Sequence, residues 1–252
     1  MEHLFWIIAN TTVSKTPISN FYLSNSHPCS YLPGRQAMDL FVDPYAPIDA
    51  ARYSQLISRG FRRSGKFFYR PHCPACDACI PLRIPVQQFQ RRRIHKRIIK
   101  HNHNVNAKIV ARGFLEEHYQ LYRRYITTRH RGGGMDKPDV DSYISFLCDS
   151  CVETAFIEFR LEGVLIAVAV TDWLDHGLSS VYTFFDPNLP QHSLGVYCIL
   201  WQIAEAKRRN LPFVYLGYWI KHSNKMNYKM QYQPAEIFRN DRWSQTTENI
   251  LE

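Results

Sequence analysis

The chain has 252 residues, of which 45% are hydrophobic and 21% are charged. This composition excludes a disordered or fibrous chain, and the length allows one large domain or two small ones. The formal net charge is +9, and the whole excess lies in residues 78–112, which contain nine basic and no acidic side chains. Such a concentration of positive charge predicts a localised site for a polyanion.

The first half of the chain mixes turn-rich and periodic segments. Residues 1–50 contain several prolines and other turn formers, so we expect them to be mostly irregular. A short helix ends at Gly60, a residue that commonly terminates helices. The periodicity then predicts strands over 66–70, 82–86 and 105–110, a basic amphipathic helix over 91–100, and helices over 115–127 and after Pro138.

The second half changes from helical to strand periodicity. Strands are predicted over 154–161, 164–173 and 178–184, followed by a helix over 194–209 and a strand over 213–216. The order of one strand, two helices, three antiparallel strands, helix and strand is typical of acyltransferases of the GNAT type. We therefore predict an α+β fold, with a smaller N-terminal domain over 1–100 and a GNAT-like domain with a mixed, mainly antiparallel sheet over 101–252.

The apolar and cysteine patterns predict a cytoplasmic protein. No apolar run reaches the 18–20 residues of a membrane span, and the first residues do not resemble a signal peptide. The seven cysteines are odd in number and three of them are clustered, unlike a secreted disulfide framework. We expect reduced thiols or metal ligands and no membrane partner.

The basic segment is a candidate nucleic-acid interface. Its cations can follow a phosphate backbone, and no acidic residue is interspersed to neutralise them at i,i+4 spacing. The alternative is a solvated helix face or a patch for non-specific anions. The candidate contacts are Arg91, Arg92, Arg93, Lys96, Arg97 and Lys100.

The cysteine cluster leaves two interpretations open. Cys73, Cys76 and Cys79 follow one another in steps of three, and Cys29 lies upstream. Four thiolates could bind Zn²⁺ or an iron–sulfur centre. Reduced thiols that brace a loop are the alternative, since a regular zinc ribbon would have two separated pairs.

Two glycine-containing segments are candidate backbone sites. Ser193 and Gly195 open the helix over 194–209, where free N–H groups can bind an anion or an oxyanion. A capping serine without a ligand is the alternative, and the single glycine counts against coenzyme A. Gly132, Gly133 and Gly134 form either a flexible connection or a lid over a substrate.

Six strings in a fixed order resemble one family. They are HPCSYLPGR (27–35), GFRRSG (60–65), YRPHC through CIP (69–81), YTFFDP (182–187), YLGYWI (215–220) and KMNYK (225–229). Together they resemble the arginyl-tRNA–protein transferase family over about residues 21–243. The short length is similar to its bacterial leucyltransferase branch.

The resemblance implies transfer of an amino acid from aminoacyl-tRNA, leucine in the bacterial branch and arginine in the eukaryotic one. The acceptor is a protein with an N-terminal Asp or Glu, and the product N-terminus marks it for proteolysis. The ester is already activated, so transfer requires no cofactor, although the eukaryotic branch associates cysteines with zinc or an iron–sulfur centre. The alternatives are an arginyltransferase, a non-catalytic tRNA-binding protein on a GNAT fold, and a coenzyme A-dependent N-acetyltransferase.

In this framework each candidate residue has an expected role. Arg62 or Arg63 would bind the acceptor carboxylate, because a guanidinium fork matches a carboxylate. Asp186 would orient the α-amine or accept its proton, unless it is only a turn residue before Pro187. The other expected contacts are Ser64 and Tyr69 for the acceptor, Tyr218 for catalysis, and Ser193, Gly195, Lys225 and Tyr228, with the basic segment, for aminoacyl-tRNA.

Overall fold

The structure is a computed structural model that describes residues 20–129 and 139–246. Its helices are α1 (Ala50–Ser58), α2 (Arg93–His101), α3 (Glu116–Arg129), α4 (Val140–Tyr143) and α5 (Leu194–Arg208). The strands are β1 (Phe21–Leu23), β2 (His27–Pro28), β3 (Gln36–Ala37), β4 (Asp39–Val42), β5 (Arg62–Ser64), β6 (Phe67–Pro71), β7 (Ile80–Pro85), β8 (Val105–Ala111), β9 (Thr154–Leu161), β10 (Val164–Leu174), β11 (Gly177–Phe185), β12 (Phe213–Trp219), β13 (Glu236–Arg239) and β14 (Arg242–Gln245). A π-helix (Ile144–Cys148) continues α4, and short 3₁₀ helices cover Pro190–His192 and Asn227–Gln231.

Eight strands form the large sheet in the order β14-β13-β7-β12-β11-β10-β9-β8. Every neighbouring pair is antiparallel except β11 and β12, which are parallel and are connected through α5. The predicted α+β class with a mixed, mainly antiparallel sheet is therefore confirmed. From β8 to β12 the elements also follow the predicted GNAT-type order.

The two parallel strands of this sheet separate after three residue pairs. Only Gly177–Ser179 pairs with Phe213–Tyr215, although both strands continue further. In β12 the register with β7 shifts between Tyr215 and Gly217, and Gly217 has a φ of +70°. This bulge, at a residue without a Cβ, turns β12 away from β11 and opens a cleft between them.

A smaller sheet with the order β1-β4-β6-β5 packs beside the large one. Val42 and Phe68 of this sheet, Tyr53 of α1, and Leu174 and Tyr215 of the large sheet belong to one buried cluster. The described part of residues 1–50, which is 20–50, is mostly irregular as predicted, and its short strands β1 and β4 form by pairing within the small sheet. The proposed division at residue 100 stays a prediction, and β7, which precedes it, lies inside the large sheet.

Local chemistry explains several element boundaries. The Asp49 side chain caps α1 by accepting the Arg52 N–H at 2.8 Å. The predicted hairpin between β9 and β10 turns at Glu162 and Gly163, both with positive φ, as a type I′ turn requires. Among the described residues, no helix is both long and apolar enough to cross a membrane.

Candidate active site

A cavity of about 350 Å³ lies against the small sheet. It is walled by β4, β5 and β6, by the segment that carries β2 and β3, and by the cysteine loop. The predicted residues that it brings together are Ser64, Tyr69, Tyr218, Cys29, Cys73, Cys76 and Cys79. Arg35 also lines this cavity, which sequence reasoning did not single out.

The four thiols share the cavity but do not form a metal site as arranged. Cys73 Sγ lies 3.6 Å from the Met38 carbonyl, and Cys29 Sγ accepts the Leu32 N–H at 3.4 Å. Burial, followed by the neighbouring cysteines, raises the pKa of Cys79 to about 12, so this thiol is protonated at neutral pH. No three His, Cys, Asp or Glu side chains of the described residues are positioned to share a metal ion. The donor chemistry suits Zn²⁺ or an iron–sulfur centre, but the arrangement does not.

Arg62 projects into the cleft where β11 and β12 separate. Its Nη2 donates to the carbonyl oxygens of Ser180 at 3.2 Å and Val181 at 3.0 Å, both on β11. Its guanidinium packs against Gly217 of β12, where a Cβ would collide with it. Arg62 is half-buried, yet it makes no ion pair with any described residue. A partly buried cation without a counter-charge is a strong candidate to bind an anion.

Arg63 lies on the opposite face of β5 and is fully engaged. Its Nε and Nη2 donate to the two carboxylate oxygens of Asp172 at 2.8 and 2.7 Å, and both side chains are completely buried. Nη1 donates to the Gly65 carbonyl at 2.7 Å, and Thr154 donates to Asp172 at 2.6 Å. This bidentate pair joins the small sheet to β10 of the large sheet.

Tyr218 and Tyr69 form the wall next to Arg62. The Tyr218 hydroxyl donates to the backbone carbonyls of Gly60 at 3.1 Å and Tyr69 at 3.3 Å. Its ring centroid lies 5.8 Å from the Arg62 guanidinium carbon, within cation–π range. Burial holds the pKa of Tyr218 well above its ordinary value, so the phenol is a permanent donor.

Lys229 is a second residue that sequence reasoning missed. It is buried in the 3₁₀ helix Asn227–Gln231, and its Nζ donates to the Tyr218 carbonyl at 2.7 Å. Burial, and then the charge of Arg62, lower its pKa well below the ordinary lysine value. The KMNYK string contains Lys229, but the sequence does not reveal which of its two lysines points inward. The other, Lys225, is exposed, as is Tyr228, which interacts electrostatically with Arg62.

Asp186, Ser193 and Gly195 lie elsewhere, at the far end of β11. Asp186 is five residues beyond Val181, a distance of about 16 Å along a strand. Its Oδ1 accepts the Asn188 N–H at 2.9 Å, which is the turn geometry of an Asp before proline. Ser193 has a left-handed backbone and makes no side-chain cap on α5, while Gly195 packs against Phe185. None of the three lines the cavity.

The predicted basic helix forms and presents its cations to solvent. His95 and Ile98 are the buried residues of α2. Asn102, at its end, donates to the His192 carbonyl and contacts His192 Nδ1, both at 2.9 Å, so the helix ends beside the turn before α5. Arg91, Arg92, Arg93, Lys96, Arg97 and Lys100 are all exposed, and none forms an ion pair with another described residue. The glycine run Gly132–Gly134 lies outside the described residues.

Comparison with known proteins matches most of this chain to one family. The family model for the N terminus of arginine-tRNA-protein transferase matches residues 27–97, and the model for its C terminus matches 117–239. A protein of Pseudomonas fluorescens named aspartate/glutamate leucyltransferase is 53% identical over 88% of this chain and 95% of its own length. One of the same name from Marinobacter nauticus is 48% identical over 88% and 94%. Among solved structures, the C-terminal domain of a lysylphosphatidylglycerol synthetase from Agrobacterium fabrum matches 71% of this chain and 52% of that one, with 11% identity and a TM-score of 0.45.

Proposed function

Since this chain belongs to the arginine-tRNA-protein transferase family, we propose that it transfers leucine from leucyl-tRNA to the N-terminal Asp or Glu of acceptor proteins. The choice of leucine follows the relatives that share about half of its residues over almost their full length, which are named aspartate/glutamate leucyltransferases. The product carries a new N-terminal leucine that marks the acceptor for degradation. The reaction takes place in the cytoplasm.

The observation that carries the proposal is the unpaired guanidinium of Arg62. An acceptor that begins with Asp or Glu brings a carboxylate, which would supply the counter-charge that Arg62 lacks among the described residues. Ser64 and Tyr69 line the adjacent cavity and would form its polar wall. Tyr218 packs over the guanidinium and would position Arg62, since its hydroxyl is occupied by two backbone carbonyls.

The transfer is an aminolysis of an ester. The acceptor nitrogen attacks the leucyl carbonyl carbon, an amide bond forms, and the bond to the terminal ribose oxygen of the tRNA breaks. The amine loses a proton and the ribose oxygen gains one. Because an α-amine has a pKa of about 8, part of the acceptor is neutral near pH 7 and can attack the carbonyl carbon directly. Asp186 lies about 16 Å along β11 from the Val181 carbonyl that Arg62 contacts, out of reach of an amine held beside Arg62, so we assign it no proton.

The tRNA would lie over α2 and continue to the turn before α5. Phosphates favour exposed cations without a counter-charge; α2 offers four of them, and Arg91 and Arg92 directly before it offer two more. Asn102 ties the end of this helix to His192, next to Ser193 and Gly195. The aminoacyl end would then approach the cleft past Lys225 and Tyr228.

The proposed transfer needs no cofactor, and no step is assigned to a metal. Cys29, Cys73, Cys76 and Cys79 remain the residues that would hold Zn²⁺ or an iron–sulfur centre after rearrangement of their side chains. A thiolate-bound metal there would brace the cysteine loop against the cavity.

The test is a transfer assay with the purified chain, three donors and a set of peptides. Leucyl-, arginyl- and phenylalanyl-tRNA are each offered to peptides that begin with Asp, Glu or Ala. We expect leucine on the Asp and Glu peptides only. Arginine on the same peptides would identify an arginyltransferase. Binding of tRNA without any transfer would indicate a non-catalytic tRNA-binding protein.

A further inference from the structure

One face of the small sheet carries a row of aromatic residues on β1, β4 and β6 that continues to Arg62 on β5. Directly paired residues of antiparallel strands point to the same face, and the pairs Tyr22–Phe41, Phe41–Tyr69 and Tyr69–Arg62 join β1, β4, β6 and β5. The Phe41 and Tyr69 rings stack with their centroids 5.8 Å apart. The row therefore begins at the Arg62 guanidinium and ends at the edge strand β1.

The end of the row at β1 opens into a second, apolar cavity of about 590 Å³. Tyr22, Tyr45 and Phe67 line it, and they are 52%, 94% and 51% exposed. Large aromatic side chains that cluster at the surface of a soluble fold are characteristic of binding sites. No described residue covers them.

The two cavities adjoin each other. Phe41 and Phe67 line both of them, and their ring centroids lie 6.4 Å apart at the junction. Three strand-to-strand spacings of about 4.8 Å separate Arg62 from Tyr22, which gives a path of about 14 Å. An extended peptide advances about 3.3 Å per residue, so roughly four residues cover this distance.

We propose that this aromatic groove binds residues 2–4 of the acceptor polypeptide and selects acceptors with apolar side chains there. The inference rests on the proposed function, because it needs the acidic N-terminal residue at Arg62 to set the register. With that residue in place, the following residues of the acceptor would cross the surface made of Phe41, Phe67 and Tyr22. The enzyme then recognises a short acidic-apolar N-terminal sequence and not the first residue alone.

The experiment measures KM for leucine transfer with two sets of Asp-initiated peptides. One set has Leu or Phe at positions 2–4 and the other has Ser or Gly, with identical sequences after position 4. We expect the apolar set to have a KM at least tenfold lower with similar kcat. Tyr22→Ser and Phe67→Ser should each remove most of this difference.

Leu23→Ser is the matched control. Leu23 lies on the same strand as Tyr22 and is 54% exposed, but it points to the opposite face. We expect this variant to discriminate between the peptide sets as the wild type does. Leucine transfer with equal KM for both sets would overturn the inference while leaving the proposed function intact. Equal KM together with dimerisation that Tyr22→Ser abolishes in sedimentation would likewise overturn it, by assigning the groove to a second copy.

Discussion

Two adjacent arginines illustrate how strand geometry divides roles between neighbouring residues. Arg62 and Arg63 project from opposite faces of β5, as successive strand residues must. Arg63 is enclosed with Asp172, whereas Arg62 enters the cleft without a counter-charge among the described residues. The sequence identified the pair but could not choose between them, because both contact the large sheet and only the fold places the Asp172 carboxylate beside Arg63.

Replacing Asp186 by Asn tests its role in proton transfer. The amide oxygen can still accept the Asn188 N–H, so the turn should persist. Because Asp186 lies about 16 Å along β11 from the Arg62 contact at Val181, we expect kcat and KM to stay near the wild-type values. A fall in kcat of roughly 10²-fold, the lower range for general-base catalysis, with little change in KM would instead show that Asp186 accepts the proton. Asp49→Asn is the control, since it removes the charge from another carboxylate that accepts a backbone N–H. An unaltered kcat in Asp186→Asn would mean that Asp186 acts only in the turn.

The buried Lys229 should make the free energy of unfolding depend on pH. Burial, and secondarily Arg62, lower its native pKa, whereas the unfolded chain holds this proton up to about pH 10.4. Between these two values unfolding takes up a proton, so rising pH favours the native state. We expect the unfolding free energy of the wild type, minus that of Lys229→Met, to increase with pH across this window.

Urea unfolding at several pH values measures this difference, and the exposed Lys225→Met should show no such trend. A difference in unfolding free energy between the wild type and Lys229→Met that does not increase with pH would contradict the prediction. That result would mean that Lys229 keeps its proton in the native state as it does in the unfolded chain.

Among the elements, long periodic segments were predicted well, whereas several of the shortest strands were missed. The bounds of β9 were predicted as they stand, and α5 ends one residue before the predicted limit, because both have long, regular apolar patterns. Strands β1, β13 and β14 were missed, since three or four residues carry too little periodicity. They form only because a neighbouring strand supplies their hydrogen bonds.

The bulge of β12 controls the position of Arg62, so Gly217→Ala should affect acceptor binding. The substitution places a Cβ against the guanidinium at a φ of +70°. We expect a loss of about 1–2 kcal/mol in stability from the backbone strain and a raised KM for acidic peptides from the displaced arginine. Thermal unfolding and steady-state kinetics measure the two effects.

Gly163→Ala is the control that separates the effect of backbone strain from the effect of displacing Arg62. Gly163 also has a positive φ, +84°, but a Cβ there meets nothing within 4 Å. This variant should lose stability and keep its KM. If both variants keep the wild-type KM, the bulge does not position Arg62 for the acceptor.

At the scale of the whole molecule, the sequence predicted where the positive charge is concentrated. It did not predict which distant segments pack together. The composition located the cations in residues 78–112, and the structure exposes those of α2. The insertion of β7 between β12 and β13 joins segments about 130 residues apart. Such pairing depends on tertiary packing, so no local pattern indicated that the cysteine loop and Tyr218 share one cavity.

The exposed cations of α2 predict a salt-dependent interaction with tRNA. Changing Arg93, Lys96 and Arg97 to Gln should raise KM for leucyl-tRNA. The slope of log affinity against log salt should fall by about 0.7–0.9 for each phosphate that the variant no longer neutralises. KM for the acceptor peptide should stay unchanged. The same changes at the exposed Arg123, Arg124 and Lys207 are the control, and an equal effect there would indicate net charge alone.

The most direct test of the account compares Asp- and Asn-initiated peptides in the wild type and in Arg62→Gln. A hydrogen-bonded charge pair is worth about 1.5–3 kcal/mol, so the wild type should prefer Asp by roughly 10- to 100-fold in kcat/KM. Arg62→Gln should lose that preference, while Arg70→Gln, on the opposite face of the sheet, should keep it. An Arg62→Gln variant that still prefers Asp to the same degree would contradict the assignment of Arg62 as the ligand of the acidic side chain.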